Sequence, residues 1–256
     1  MRGEICVGFA SFLAFTSLLL LIFVHVGQIT TSTVPRGIWM VEVNMSTYGA
    51  SLQSAIFNPI MGLYTSNASA PLQAGLGLRQ FYKFGLYSYC GYISEKEGTC
   101  GNHTVGEQFT PFDAVISDML PQNYSILTAN LIPGNVTLRD SKYLGQSTKA
   151  AYWMLLLGTL CAALTLLTGI AKNHFTFFVS TIFAIAGSLL LLIGASIWTV
   201  LIKKSESVNH LLIPGTQIPS GISVSVGPGL FLTWAAFVAL VVSIIPYMIS
   251  CCTYRG

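Results

Sequence analysis

Charge is what this 256-residue sequence has least of. Asp, Glu, Lys and Arg make up 8% of the chain, against about 25% in a soluble domain. Hydrophobic residues reach 53% and the mean hydropathy is +0.67. With 12 Lys and Arg and 9 Asp and Glu there is too little charge to solvate a whole surface. A dispersed net charge of +3 excludes a nucleic-acid-binding stripe. Catalytic signatures are missing as well: no G-x-S-x-G, H-E-x-x-H, P-loop or dinucleotide glycine pattern occurs, so neither an enzyme nor a cofactor is expected. What remains is an integral membrane protein.

Four stretches hold no acidic or basic residue: Cys6–Ile29, Ala150–Ala171, Phe175–Ile202 and Gly229–Ser250. Each reaches the roughly 20 residues a helix needs to cross a bilayer. The first lies behind Arg2 and invites comparison with a cleaved signal peptide, but it exceeds the usual apolar core of about 7–15 residues, and an uncleaved span is expected. The spans leave 1–5, 172–174 and 251–256 on one side, and two loops, 30–149 and 203–228, on the other. The expected fold is therefore an α-helical membrane protein: a four-helix bundle with a small, partly β domain between helices one and two.

Five sequons crowd the first loop, at Asn44, Asn67, Asn102, Asn123 and Asn135. N-glycosylation requires a lumenal, hence extracellular, segment. Cys90 and Cys100 are the loop's two cysteines. In an oxidising compartment they most simply pair with each other; a zinc site adding His103 is the alternative, with a thin ligand set. Lys203 and Lys204 oppose the positive-inside tendency. The sequons and cysteines outweigh so few charges, which puts both termini in the cytoplasm and the protein on the secretory route.

Within the loop, Gly37–Asn44 and Phe81–Tyr92 have strand character. Ile126–Leu138 offers a weaker third strand, and Ser51–Leu63 a short helix on the membrane surface. Gly75 and Gly77 mark a loop, and the seven acids and seven bases of 30–149 suggest a solvated surface. In the spans, His25 suits a headgroup contact beside Gln28. Small residues at helical spacing, Gly158/Ala162, Ser180/Ala184/Ser188 and Ala235/Ala239/Ser243, allow close helix packing or lateral self-association.

Gly85-Leu86-Tyr87-Ser88-Tyr89-Cys90, with Cys100 after it, resembles the G-L-W-x-x-C…C signature of claudin-like tetraspans, Tyr87 standing where tryptophan is usual. Trp39 lies too far upstream to be the first tryptophan of a claudin loop. The Tyr87–Gly91 segment is more similar to the fungal SUR7/PalI family, as are Trp198 on helix three, Gly221–Gly227 and Phe231-Leu232-Thr233-Trp234. That resemblance implies a non-enzymatic protein of the cell cortex. Such proteins mark eisosome-like membrane domains and support cell-wall integrity, endocytosis or sporulation. Membrane lipids and cell-wall or cortical proteins are the implied partners. Cys251 and Cys252 suit palmitoylation at the inner surface. A claudin- or Fig1-like regulator of ion permeability and a PalI-type component of ambient-pH sensing are the alternatives. An ion path would be lined by charge of one sign, which the balanced loop does not offer, and the few residues at Thr253–Gly256 are short for signalling through a tail.

Overall fold

Uninterrupted apolar residues have no water to satisfy their backbone in a bilayer, so each run closes its hydrogen bonds internally as a helix. The computed structural model describes residues 2–56, 60–119, 124–134, 136–170 and 174–253. In chain order its elements are α1 (Arg2–Val26), α2 (Thr33–Arg36), β1 (Val41–Asn44), α3 (Tyr48–Ile56), β2 (Phe81–Phe84), β3 (Tyr89–Tyr92), β4 (Gly98–Cys100), α4 (Pro111–Asp118), α5 (Tyr124–Leu131), α6 (Ser141–Ile170), α7 (His174–Ser205), β5 (Ser223–Val226) and α8 (Pro228–Thr253). Helices α1, α6, α7 and α8 are long and apolar enough to cross a membrane. The chain is a multi-pass membrane protein with a claudin-like fold.

Two compact units emerge. The helical unit comprises the chain through His25, Ala150–Ile197 and the residues from Gly229 onwards. Its helices bury narrow stripes of small and hydroxyl-bearing residues: Ala10, Ala14 and Ser17 on α1, Ala162 and Thr165 on α6, Ser180, Ala184 and Ser188 on α7. Buried hydroxyls turn to backbone carbonyls, where a lost partner would be costly in lipid. Ser17 Oγ donates to the Ala236 carbonyl at 2.8 Å, and Ser180 Oγ to that of Thr165 at 2.8 Å. A Cβ on Gly158 would meet Leu191 Cδ2 at 2.7 Å, and one on Gly187 would meet Leu240 Cδ2 at 3.0 Å, so the helices touch where side chains are smallest. On α8 the sequence pattern misplaces the packed face. Ala235 is exposed, and the buried stripe is Thr233, Ala236, Leu240, Ser243 and Tyr247. Alternating i+3 and i+4 steps select that stripe, whereas the strict i+4 ridge through Ala235 drifts off it. His25 faces protein, its Nε2 lying 3.0 Å from Thr159 Oγ1.

The second unit comprises Val26–Lys149 together with Trp198–Pro228. Its centre is an antiparallel sheet in the order β4-β3-β2-β1-β5. Val41 pairs with Phe84 and Val43 with Tyr82, and these four side chains are buried on one face. Phe81–Tyr92, expected as one strand, is a hairpin. Gly85 N donates to the Ser88 carbonyl at 2.9 Å, so β3 turns back along β2. The fifth strand comes from the second loop, Ser223 opposing Asn44 and Val226 opposing Val41. The two connections thus form one domain.

Several boundaries and assignments differ from expectation. Helix α1 ends at Val26 rather than Ile29, because Gln28 takes a left-handed conformation with φ 57°. Helix α6 begins at Ser141, ahead of the apolar run that starts at Ala150. The short helix expected over Ser51–Leu63 is α3, Tyr48–Ile56, with Tyr48 and Leu52 buried. Ile126–Leu138 is not a strand. Thr128 and Leu131 are buried at helical spacing in α5, and Pro133-Gly134 stops the helix.

Candidate functional site

Where α1 ends, the chain must leave a helix that has nothing further to bond with, and Gln28 supplies the means. Its side chain is fully buried. The amide nitrogen lies 3.0 Å from the carbonyls of Pro35 and Arg36 and 3.1 Å from that of Ile38. Its Oε1 accepts the Tyr92 hydroxyl at 3.0 Å. Its own backbone N–H reaches the Pro35 carbonyl at 3.0 Å, and its carbonyl accepts Ser88 Oγ. One residue therefore ties the exit of α1, the short helix α2 and the β2–β3 hairpin together. Gly85 is required here, since a Cβ would press on Gln28 Cβ at 3.0 Å.

The motif residues fall on this hairpin and around it. Leu86 is buried, and its carbonyl accepts the Glu107 N–H at 3.1 Å. The half-buried Tyr87 accepts the Thr104 N–H on its carbonyl at 2.8 Å. Burial holds the Glu107 carboxyl above the usual range, with a hydrogen bond from Thr104 opposing the shift. Tyr89 stacks on Phe84 at 5.1 Å between ring centroids, and burial first, then the nearby Asp118 charge, raises its hydroxyl pKa. Cys90 and Cys100 are register partners on β3 and β4 and form a disulfide. Trp198 is buried with its ring 6.1 Å from Phe109. Gly227 N donates to the Met40 carbonyl at 2.9 Å, and a Cβ there would meet the Trp39 carbonyl carbon at 2.6 Å. Trp234 stands apart, in the helical unit, its ring 5.7 Å from Phe237.

Gly91 leads to the largest correction. The acids and bases of 30–149 do not all lie on a solvated surface, because Arg79 and Asp118 form a fully buried pair at 2.6 Å. Asp118 also accepts the Tyr82 hydroxyl at 2.7 Å and the Gln73 N–H at 2.5 Å. Arg79 donates further to the Ala70 and Pro71 carbonyls. Burial, followed by the Asp118 charge, lifts the Tyr82 pKa well above its ordinary value. The arginine stem lies across Gly91, where a Cβ would also meet Leu72 Cδ2 at 2.8 Å. Gly75 and Gly77 are more than a loop. With φ 64° and 115° they turn their N–H groups onto the carbonyls of Ser117 and Asp118, at 3.0 and 2.8 Å. The open end of α4 is closed in this way.

No sequence pattern marks Gln28, Arg79 or Asp118. The nearest signal is position: Gln28 is the polar residue at the end of an apolar run. Lys203 and Lys204 are each engaged locally, Lys203 with Glu206 at 2.8 Å and Lys204 over the Tyr143 ring at 5.1 Å. Asn44 Oδ1 accepts Ser46 N and Oγ at 2.9 and 2.7 Å. Asn67 and Asn102 are exposed. Asn123, Asn135 and the side chains of Cys251 and Cys252 lie outside the described residues. His103 Nε2 is 2.7 Å from the Ile29 carbonyl, and among the described residues no three His, Cys, Asp or Glu side chains gather as a metal site.

The cavity nearest this construction, about 480 Å³, opens on the other sheet face, between Trp39, Glu42, Phe81, Lys83 and Tyr92. Lys83 Nζ sits 3.8 Å from the Trp39 ring centroid and 3.5 Å from Glu42. The whole arrangement is a scaffold held by buried polar contacts, with a polar-aromatic hollow on its face.

No curated protein matches the chain. The model of the SUR7/PalI family matches residues 6–253, nearly the whole length, and the chain belongs to that family.

Proposed function

We propose that this member of the SUR7/PalI family is a non-enzymatic plasma-membrane protein that organises stable domains of the fungal cell cortex. In such eisosome-like patches it supports cell-wall integrity, endocytosis or sporulation. The observation that carries this reading is the family match across all four spans and both loops. The loop domain faces outward, towards wall or cortical proteins, with sugars on the sequons. Both termini lie in the cytoplasm, and Cys251 and Cys252 take palmitate at the inner surface.

The physical construction supports a structural role. The β1–β5 pairing joins the two loops in one sheet, and a disulfide and the Gln28 hub brace the first of them, so the domain is suited to hold a shape rather than to open and close. Small-residue faces let such bundles pack closely in lipid. Fluorescence microscopy of a tagged full-length chain in a fungal host tests the assignment. Discrete cortical patches are expected, and an even distribution over the plasma membrane would refute it.

A further inference from the structure

The sheet has a second face, and the sequon at Asn44 stands on it. Antiparallel register partners share a face, so Asn44 of β1, Phe81 of β2 and Tyr92 of β3 form one row across three strands. Their neighbours Val41, Val43, Tyr82 and Phe84 are buried on the opposite side, whereas Asn44 and Phe81 are only half-buried. Beyond Asn44 this face opens into the cavity of about 480 Å³, for which Phe81 and Tyr92 form part of the wall.

We infer that the first two sugars of an N-glycan on Asn44 lie across Phe81 and fill this cavity, so that the glycan is an integral part of the domain's face. The inference rests on the outward placement of the loop. Ser46 holds Oδ1 of Asn44, which leaves Nδ2, the atom that carries a sugar, outside that turn.

Reach agrees. Tyr92 lies two strands from Asn44, about 10 Å at the usual strand spacing, which is close to the length of a β1,4-linked disaccharide. Chemistry agrees as well. An amino-sugar ring has an apolar face for Phe81 and hydroxyl, ether and acetamide groups for the walls. The lining carries no net charge: Lys83 pairs with Glu42 and caps Trp39, and Arg36, whose Nη1 donates to the Thr31 and Lys96 carbonyls, is offset in sign by Glu95. A neutral polar ligand suits such walls better than an ion.

The test uses full-length protein from a eukaryotic secretory host, in mild detergent, digested for timed intervals with an endoglycosidase that cuts between the two core sugars. Glycopeptide mass spectrometry then follows Asn44, Asn67 and Asn102 separately. The Asn44 glycan is expected to be cleaved ~tenfold more slowly than the other two, the scale of one aromatic stacking contact. In Phe81→Leu its rate should rise to theirs while theirs stay unchanged. The wild-type comparison decides alone if that variant fails to fold. Equal rates at all three sites would overturn the inference, as would a bare Asn44 beside occupied Asn67 and Asn102. Bare asparagines at all three would instead overturn the outward placement itself. Added N,N′-diacetylchitobiose should bind Asn44→Gln and not the glycosylated protein. Equal binding to both would mean that the cavity serves an external saccharide.

Discussion

Gln28 is the residue on which most of the loop domain's geometry turns. Its side chain answers three carbonyls and one hydroxyl in a buried setting. Gln28→Ala removes that partner from the Arg36 and Ile38 carbonyls and the Tyr92 hydroxyl, while the Pro35 carbonyl keeps the backbone N–H groups of residues 28 and 38; an orphaned buried polar group costs about 1–3 kcal/mol. A loss of roughly 2–4 kcal/mol is expected after partial relaxation, read as a lower thermal midpoint of the detergent-solubilised protein and reduced surface delivery. Asp118→Asn strands the buried Arg79 charge and should cost about 3–5 kcal/mol, by the same measurement. Alkali gives an independent probe. Burial pushes the hydroxyls of Tyr48 and Tyr92 up to about 12 from the ordinary 10.0. Between those values the unfolded chain has lost protons that the folded chain keeps. Stability present below pH 10 is therefore lost as the pH rises towards 12, and tyrosinate absorbance should rise together with unfolding. None of this hub was legible in the sequence. A lone Gln, Arg or Asp carries no spacing signal, and burial of such residues is decided by partners far along the chain.

Among the elements, what the sequence made legible followed from one dominant force. The four spans were plain because lipid enforces helix on any long apolar run. The strands β1, β2 and β3 were read from alternation and aromatic content, though as two runs rather than three. The fifth, β5, went unread, because Ser223–Val226 is short and becomes a strand only by pairing with β1. Helix α5 was misread for the opposite reason, since its isoleucine, leucine and threonine content suits either state until burial chooses a face. Two substitutions test how far these elements depend on one another. Cys90→Ser releases β4 from β3, and closing so short a loop is worth about 2–3 kcal/mol. Gly227→Ala forces a side chain against Trp39 and should cost roughly 1–3 kcal/mol. It should also loosen β5, so that limited proteolysis cuts within 203–228 before any other site.

At the scale of the whole molecule, the chain's polarity is unevenly placed. The spans carry packing residues and lipid-facing apolar side chains, and the charges gather in the loop domain, where one pair is buried for structure. Gly187→Leu, which would drive a large side chain into Cys161 and Leu240, should unfold the bundle in detergent, seen as aggregation on size-exclusion chromatography. The family was legible from the Tyr87–Gly91 segment with Cys100, the Phe231–Trp234 segment and the four spans taken together. What was not legible is that the second loop completes the sheet, which makes the two connections a single domain. The proposed role in stable cortical domains requires the chain to stay put. Fluorescence recovery after photobleaching of the tagged chain at the cell cortex measures that most directly. Recovery within patches should be negligible over minutes, and rapid, complete recovery from an even membrane pool would contradict the account.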